Sequence, residues 1–242
     1  MDSISSERII SALDVDSFNE AERFVKLLKH TIGVFKVGKQ LFTHCGPKVV
    51  EMIQQHGGKV FLDLKFHDIP HTVARAVEEA CKLGVFMLTL HAMGGQKMMR
   101  EAVHASIKQA QALSSPPPFL LAVTILTSLN QDDLQDMGIV SSMDETVLRL
   151  AKLSKRAGIH GVIASARETS LIRANCGDDF MIVTPGIRPK GVARGDQKRA
   201  ATPAEAMSAG SDYIVIGRPI LEARDPLKAA NEIVKELTSG SA

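Results

Sequence analysis

Eight short apolar runs recur along the chain, each separated from the next by enough residues for a helix. They cover residues 9–13, 34–37, 60–64, 85–90, 119–126, 161–164, 180–183 and 213–216. Each has the length of a strand and is rich in Val, Ile, Leu or Phe. The intervening segments carry helix punctuation. Ser17 and Glu20 can cap a helix start, and Gly33 lies beyond its end. Pro47 suits the first turn of a helix that Gly57 and Gly58 close. Val73, Ala76, Val77 and Ala80 repeat at helical spacing before Gly84. Ser142 and Glu145 cap a segment running to Gly158, Thr202-Pro203-Ala204-Glu205 opens another, and Asp225-Pro226 opens the last.

Alternating strands and helices imply parallel pairing, because each strand needs a crossover helix to return. Near-continuous apolar strands fit a sheet covered by helices. The rival architecture is a doubly wound open sheet. Eight strands and polar residues at many strand ends favour a closed (β/α)8 TIM barrel, since an open sheet would concentrate them near one switch point. The expectation is an α/β chain whose residues 1–242 form a single catalytic barrel domain. Ser114-Ser115-Pro116-Pro117-Pro118 reads as a stiff loop at the N-terminal face of the barrel rather than a hinge. Residues 130–144 exceed a typical βα loop and predict a short helix over the mouth of a site.

Several function classes drop out. A net charge of +2 with dispersed basic residues gives no footprint for nucleic acid or a membrane surface. Cys45, Cys81 and Cys176 are too few and too scattered for a disulfide framework or a Cys-rich zinc site. Cys81 falls on the apolar side of its helix, as a buried reduced thiol would. The N-terminus has no basic leader before an apolar run, and no apolar stretch reaches membrane-spanning length. A cytoplasmic protein is expected.

Charged residues at the strand ends carry the chemistry. Asp63-Leu64-Lys65 continues directly from the apolar Val60-Phe61-Leu62. Side chains alternate along a strand, so Leu62 and Leu64 should face the helices while Asp63 and Lys65 point into the barrel at its C-terminal end. Lys36 lies at the end of the preceding strand and Asp14 at the end of the first. Barrel active sites occupy that rim. Four charges from three consecutive strands could share a low-dielectric cavity only as pairs. Pairing alone gives no reason to gather them there. His91 either lines the same rim or satisfies a local hydrogen bond, and His67 reads as a loop histidine.

A second cluster follows the last two strands. Thr184-Pro185-Gly186-Ile187-Arg188 continues through a Gly-rich loop to Gln197, and the eighth strand ends in Gly217-Arg218. Barrel phosphate sites are commonly built from these two loops. Arg188 and Arg218 can fork onto a phosphate, and Gly217 lets its backbone N–H approach. Gln197 could reach either the phosphate or a base. Lys190 and Arg194 read as solvated loop charges.

Asp63-x-Lys65-x-x-Asp68-Ile69-Pro70-x-Thr72 resembles the signature of the orotidine 5′-phosphate decarboxylases. Ala12-Leu13-Asp14, Lys36-Val37-Gly38, Leu126-Thr127-Ser128, Thr184-Pro185-Gly186-Ile187-Arg188, Gly195-Asp196-Gln197 and Gly217-Arg218 follow that family's order. His71 stands where the family often has asparagine. The resemblance implies a decarboxylase that needs neither metal nor organic cofactor, the last step of de novo pyrimidine biosynthesis. By it, Lys65 protonates C6 of the pyrimidine after CO2 leaves. Asp63 holds Lys65 and faces the substrate carboxylate, Lys36 pairs with Asp63 and touches the ribose, and Asp14 binds ribose hydroxyls. Thr127 and Ser128 contact the base, while Arg188, Gln197, Gly217 and Arg218 bind the phosphate end. Asp68 and Thr72 reach into the site of a second subunit, implying a homodimer with shared sites.

Two alternatives compete. Magnesium-dependent phosphosugar enzymes, such as hexulose-phosphate synthases, resemble the Asp63-x-Lys65-x-x-Asp68 core but carry a carboxylate where Lys36 stands, and a lysine there would repel the cation. A non-catalytic nucleotide-binding barrel would have no need of Lys65 and Asp63 together.

Overall fold

A computed structural model of the chain describes residues 7–189 and 201–239. Eight parallel strands close into a barrel in sequence order: β1 (Ile9–Ala12), β2 (Val34–Gly38), β3 (Lys59–Phe66), β4 (Met87–His91), β5 (Phe119–Val123), β6 (Gly161–Ile163), β7 (Met181–Thr184) and β8 (Tyr213–Ile216). Closure is explicit in the register, where Ile9 pairs with Ile214 and Ile10 with Val215. An open doubly wound sheet would leave β1 and β8 apart.

The helices are α1 (Phe18–Leu28), α2 (Lys39–Cys45), α3 (Lys48–Gln55), α4 (Pro70–Lys82), α5 (Gly95–Ala112), α6 (Gln131–Asp136), α7 (Met143–Arg156), α8 (Ala166–Cys176), α9 (Pro203–Ser208), α10 (Arg218–Leu221) and α11 (Pro226–Ser239). Four of their starts carry reciprocal side-chain caps. The Ser142 side chain accepts from the Glu145 N–H at 3.3 Å, and the Glu145 carboxylate accepts from the Ser142 N–H at 3.0 Å. Thr202 and Glu205 repeat this exchange, as do Asn130 with Asp133 and Ser165 with Glu168. Each cap satisfies amide groups that a helix start leaves unpaired.

Strand alternation divides the apolar residues between two cores. Ile10, Val34, Phe61, Met87, Leu121, Val183 and Val215 pack inside the barrel. Their strand neighbours, among them Ile9, Phe35, Leu62, Leu88 and Leu120, pack outward against the helices. Burying each such side chain contributes about 1.5–3 kcal/mol. At the N-terminal end Phe119 meets Phe86 and His160 edge to face, at 5.4 and 5.6 Å between ring centres. The Leu120 N–H donates to His160 Nδ1 at 3.0 Å, fixing that ring. This aromatic layer fills the bottom of the barrel and leaves space at the top.

Apart from shifts of one or two residues at strand ends, the elements depart from the sequence reading at α2 and in the runs at 119–126 and 85–90. Helix α2 went unpredicted because only Leu41 of its residues is buried, so it has no apolar stripe. The run at 119–126 ends as a strand at Val123. There Thr124 turns to donate its hydroxyl to the Ile163 carbonyl at 3.1 Å, and Ile125 and Leu126 become wall rather than strand. The run at 85–90 pairs only from Met87 and extends to His91. The loop at 114–118 does lie before β5, at the N-terminal face, and α6 forms within the long segment after β5. All three cysteines are free, and Cys81 is buried. Among the described residues no helix is long and apolar enough to cross a membrane.

Candidate active site

Above the interior core lies a cavity of about 140 Å³ at the C-terminal ends of the strands. Phe61, Val123, Ile163 and Val215 form its apolar floor, and Ile125, Leu126, Thr127 and Pro185 form one side. Lys36, Asp63 and Lys65 supply its only charges among the described lining residues. A dry cavity of about 150 Å³ holds a benzene ring. This one therefore suits a single six-membered ring, with charge on one wall and hydrocarbon beneath.

The charges are paired in a chain. Lys36 Nζ lies 3.0 Å from Asp14 Oδ1 and 3.7 Å from Asp63 Oδ2. Lys65 Nζ donates to Asp63 Oδ2 at 2.8 Å. Asp63 Oδ1 accepts from the Thr89 hydroxyl at 2.9 Å. Burial pushes the Asp63 carboxyl up. The Lys36 and Lys65 ammonium groups and the hydrogen bonds from Lys65 and Thr89 outweigh it, holding the carboxyl below its ordinary range. Asp63 is thus a buried anion between two cations.

Lys65 reaches this position by a route that alternation does not supply. Phe61 faces inward and Leu62 outward, as expected, but the β3–β4 register breaks between Leu62 and Phe66. Lys65 sits in the bulge with φ 53°, a left-handed conformation costly for a side chain with a Cβ. The bulge, rather than the two-residue repeat, places its ammonium on Asp63.

The other residues singled out in the sequence fall at varying distances from the cavity. Thr127 lines it, whereas Ser128 is exposed and outside its described walls. Gly217 packs against the first strand's end: a Cβ built on it would sit 3.4 Å from Ala12 Cβ and 3.5 Å from Asp14 Oδ2. The rim of β8 therefore adjoins the Asp14–Lys36 pair, and Arg218, which is exposed, begins α10 there. Arg188 is half-buried, and its guanidinium donates to the Ile187 carbonyl at 2.9 Å. Gln197, Lys190 and Arg194 lie outside the described residues. Asp68 and Thr72 are exposed and do not line the cavity of their own chain; Asp68 Oδ1 accepts from the Ile69 N–H.

Sequence reasoning missed Thr89 and most of the apolar floor. Thr89 had a signal: it is the one hydroxyl on the inward face of β4, between Met87 and His91. The floor had none, because Val123, Ile163 and Val215 read as ordinary barrel interior.

His91, at the end of β4, stacks on His67 with ring centres 5.3 Å apart and an interplanar angle of 27°. Its Nδ1 is buried with no hydrogen-bond partner among the described residues. Burial, helped by His67, Lys65 and Lys39, pushes its pKa down to about 4. The unfolded chain, with a histidine near 6.5, binds the proton more readily than the folded one. The stability this neutral ring contributes is complete above about pH 6.5 and is lost as pH falls toward 4. The expected loss is on the order of 2 kcal/mol after screening of the like-charge repulsion. Urea melts of the wild type and His91→Gln at pH 7 and pH 4.5 check this. Equal pH dependence in both would remove His91 as its source.

The chain matches the model of the orotidine 5′-phosphate decarboxylase / HUMPS family over residues 7–233. It is 54% identical to an orotidine 5′-phosphate decarboxylase of Syntrophotalea carbinolica over 233 residues, 96% of each chain. A Geobacter sulfurreducens protein of the same name is 53% identical over 97% of each chain. The crystal structure of orotidine 5′-phosphate decarboxylase from Lactobacillus acidophilus superposes with a TM-score of 0.85 at 41% identity, covering 96% of this chain and 99% of that one.

Proposed function

The chain belongs to the orotidine 5′-phosphate decarboxylase / HUMPS family, and from that premise we propose that it converts orotidine 5′-monophosphate to uridine 5′-monophosphate and CO2. The observation that carries this reading is the Lys36–Asp63–Lys65 chain on the wall of a ring-sized, apolar-floored cavity. The pyrimidine fills the cavity with its C6 carboxylate toward Asp63 and Lys65. The C–C bond breaks, its electron pair stays on C6, and CO2 leaves. That electron pair lies in the ring plane, orthogonal to the pyrimidine π system, and cannot spread into it, so an ammonium beside it stabilises the transition state more than the ground state. Lys65 then gives C6 a proton and is reprotonated from solvent. Asp63 fixes Lys65, and its charge faces the departing carboxylate.

Lys36 and Asp14 bind the ribose, Thr127 and Ser128 the base. Arg188, Gln197, Gly217 and Arg218 take the phosphate, which lies outside the ring cavity on the side where Gly217 adjoins Asp14. Binding that remote group supplies energy for ordering the charged centre. Asp68 and Thr72, exposed and outside the lining of their own cavity, complete the site of a second copy in a cytoplasmic homodimer. The catalytic unit is the single barrel spanning the chain, with no metal or organic cofactor in the reaction.

The family also contains the magnesium-dependent reading. Here the Lys36 ammonium stands between Asp14 and Asp63, where a cation bridging those carboxylates would have to sit. The decisive assay follows the ultraviolet absorbance of orotidine 5′-monophosphate in metal-free buffer. Steady loss of substrate at a rate unchanged by EDTA is expected, from a species that sediments as a dimer. No CO2 release, or activity abolished by EDTA and restored by Mg2+, would overturn the reading.

A further inference from the structure

Thr89 is fully buried on β4, and its single hydroxyl serves two residues of the charged centre. It donates to Asp63 Oδ1 at 2.9 Å and accepts from the Lys65 backbone N–H at 2.9 Å. The place is distinctive. Phe61 pairs with Met87, Leu62 with Leu88, then Phe66 with Leu90. Asp63, Leu64 and Lys65 therefore stand opposite Thr89 alone, and the parallel ladder is interrupted there. A bulged strand loses backbone partners for its extra residues. The Thr89 side chain replaces the missing acceptor for Lys65, at the residue whose φ is 53°.

We propose that Thr89 is a positioning residue for the decarboxylation, its hydroxyl locking the β3 bulge that aims the Lys65 ammonium at Asp63 and the reacting carbon. The proposal rests on Lys65 being the proton donor. A hydroxyl has one proton to give. Donating it to the Asp63 carboxylate leaves a lone pair for the Lys65 N–H, so one atom fixes both the carboxylate and the backbone of its cation. Without it, a buried carboxylate oxygen and a part-buried amide lose their partners together, and the left-handed conformation loses what opposes its strain. Threonine also contributes a methyl group to packing, so the hydroxyl must be tested apart from the methyl.

Thr89→Val keeps the shape and removes the hydroxyl, while Thr89→Ser keeps the hydroxyl. In the full-length protein, kcat of Thr89→Val should fall roughly a hundredfold with KM within about threefold, the pattern of a misplaced reacting group. Thr89→Ser should return kcat to within about fivefold of wild type. The acid limb of the kcat profile should move to higher pH in Thr89→Val alone, because the Thr89 hydrogen bond helps hold the Asp63 carboxyl down. Wild-type kcat in Thr89→Val, equal losses in both variants, or a rise in KM alone would each overturn the proposal. Crystal structures give a readout independent of turnover: in Thr89→Val, Lys65 should relax to negative φ and separate from Asp63. If Lys65 keeps φ near 53° and its 2.8 Å contact, the positioning role is wrong even in an active enzyme. A wild type that releases no CO2 would instead sink the assigned reaction, while the crystal comparison would still decide the role of Thr89.

Discussion

Lys65→Ala is expected to lower kcat by about 10⁴- to 10⁶-fold while leaving uridine 5′-monophosphate affinity within about tenfold. Two losses combine. The variant lacks the proton that C6 must receive, and it lacks the cation beside the developing carbanion. Together they remove about 5–8 kcal/mol of transition-state stabilisation. The rest of the centre should survive, because Asp63 keeps Thr89 at 2.9 Å and Lys36 at 3.7 Å. Product binding should be spared, because the residues proposed to hold the phosphate and ribose are others. Lys65→Gly sharpens the test. Glycine adopts φ near 53° freely, so this variant should be as inactive yet melt higher, by about 2–4 °C for each kcal/mol of strain released. Steady-state kinetics, calorimetric product binding and thermal melts check all three outcomes. A Lys65→Ala enzyme within tenfold of wild-type kcat would take the proton donor away from this residue.

Legibility in the sequence followed burial. The strands could be read because each is covered on both faces, which writes a continuous apolar run. The eight-fold count then implied closure, which brings the end of β8 and Gly217 beside Asp14, while the neighbouring order of β1, β2 and β3 gathers Asp14, Lys36 and Asp63 at that rim. The inward face of Asp63 followed from the two-residue repeat. That of Lys65 did not: the repeat named the correct direction, but a register break and a left-handed residue deliver it. A bulge depends on what the neighbouring strand offers, and Thr89 lies 24 residues further along the chain, beyond the reach of any local pattern. Helix α2 was invisible for a simpler reason, since one buried leucine makes no stripe. The apolar end of the long run after Phe119 misled in the opposite sense: Ile125 and Leu126 are apolar because they wall a cavity. Nothing in one chain's residues could say why Asp68 and Thr72 are exposed and do not line its own cavity, since their proposed place is in another copy.

Gly161→Ala is expected to cost at least about 3 kcal/mol of stability and to lower the melting temperature by roughly 6–12 °C. Gly161 opens β6, aligned with Leu121 on one side and Met181 on the other. A Cβ there would lie 2.2 Å from the Met181 carbonyl oxygen, 2.6 Å from Met181 Cβ and 2.8 Å from its carbonyl carbon. No rotamer change relieves a clash with backbone, so β6 and β7 must part. β6 has only three residues, so little pairing remains to resist the separation. The damage should reach the site. Ile163, two residues on, lies in the cavity floor, and displacement of about 1 Å near a reacting group can cost a hundredfold in rate. Gly33→Ala is the control, because its Cβ would meet nothing within 4 Å. It should melt within about 2 °C of wild type. Thermal melts of the two variants, followed by kcat below both transitions, separate the outcomes. If Gly161→Ala melts with the control, β6 and β7 do not approach this closely, and the floor of the cavity must be built differently.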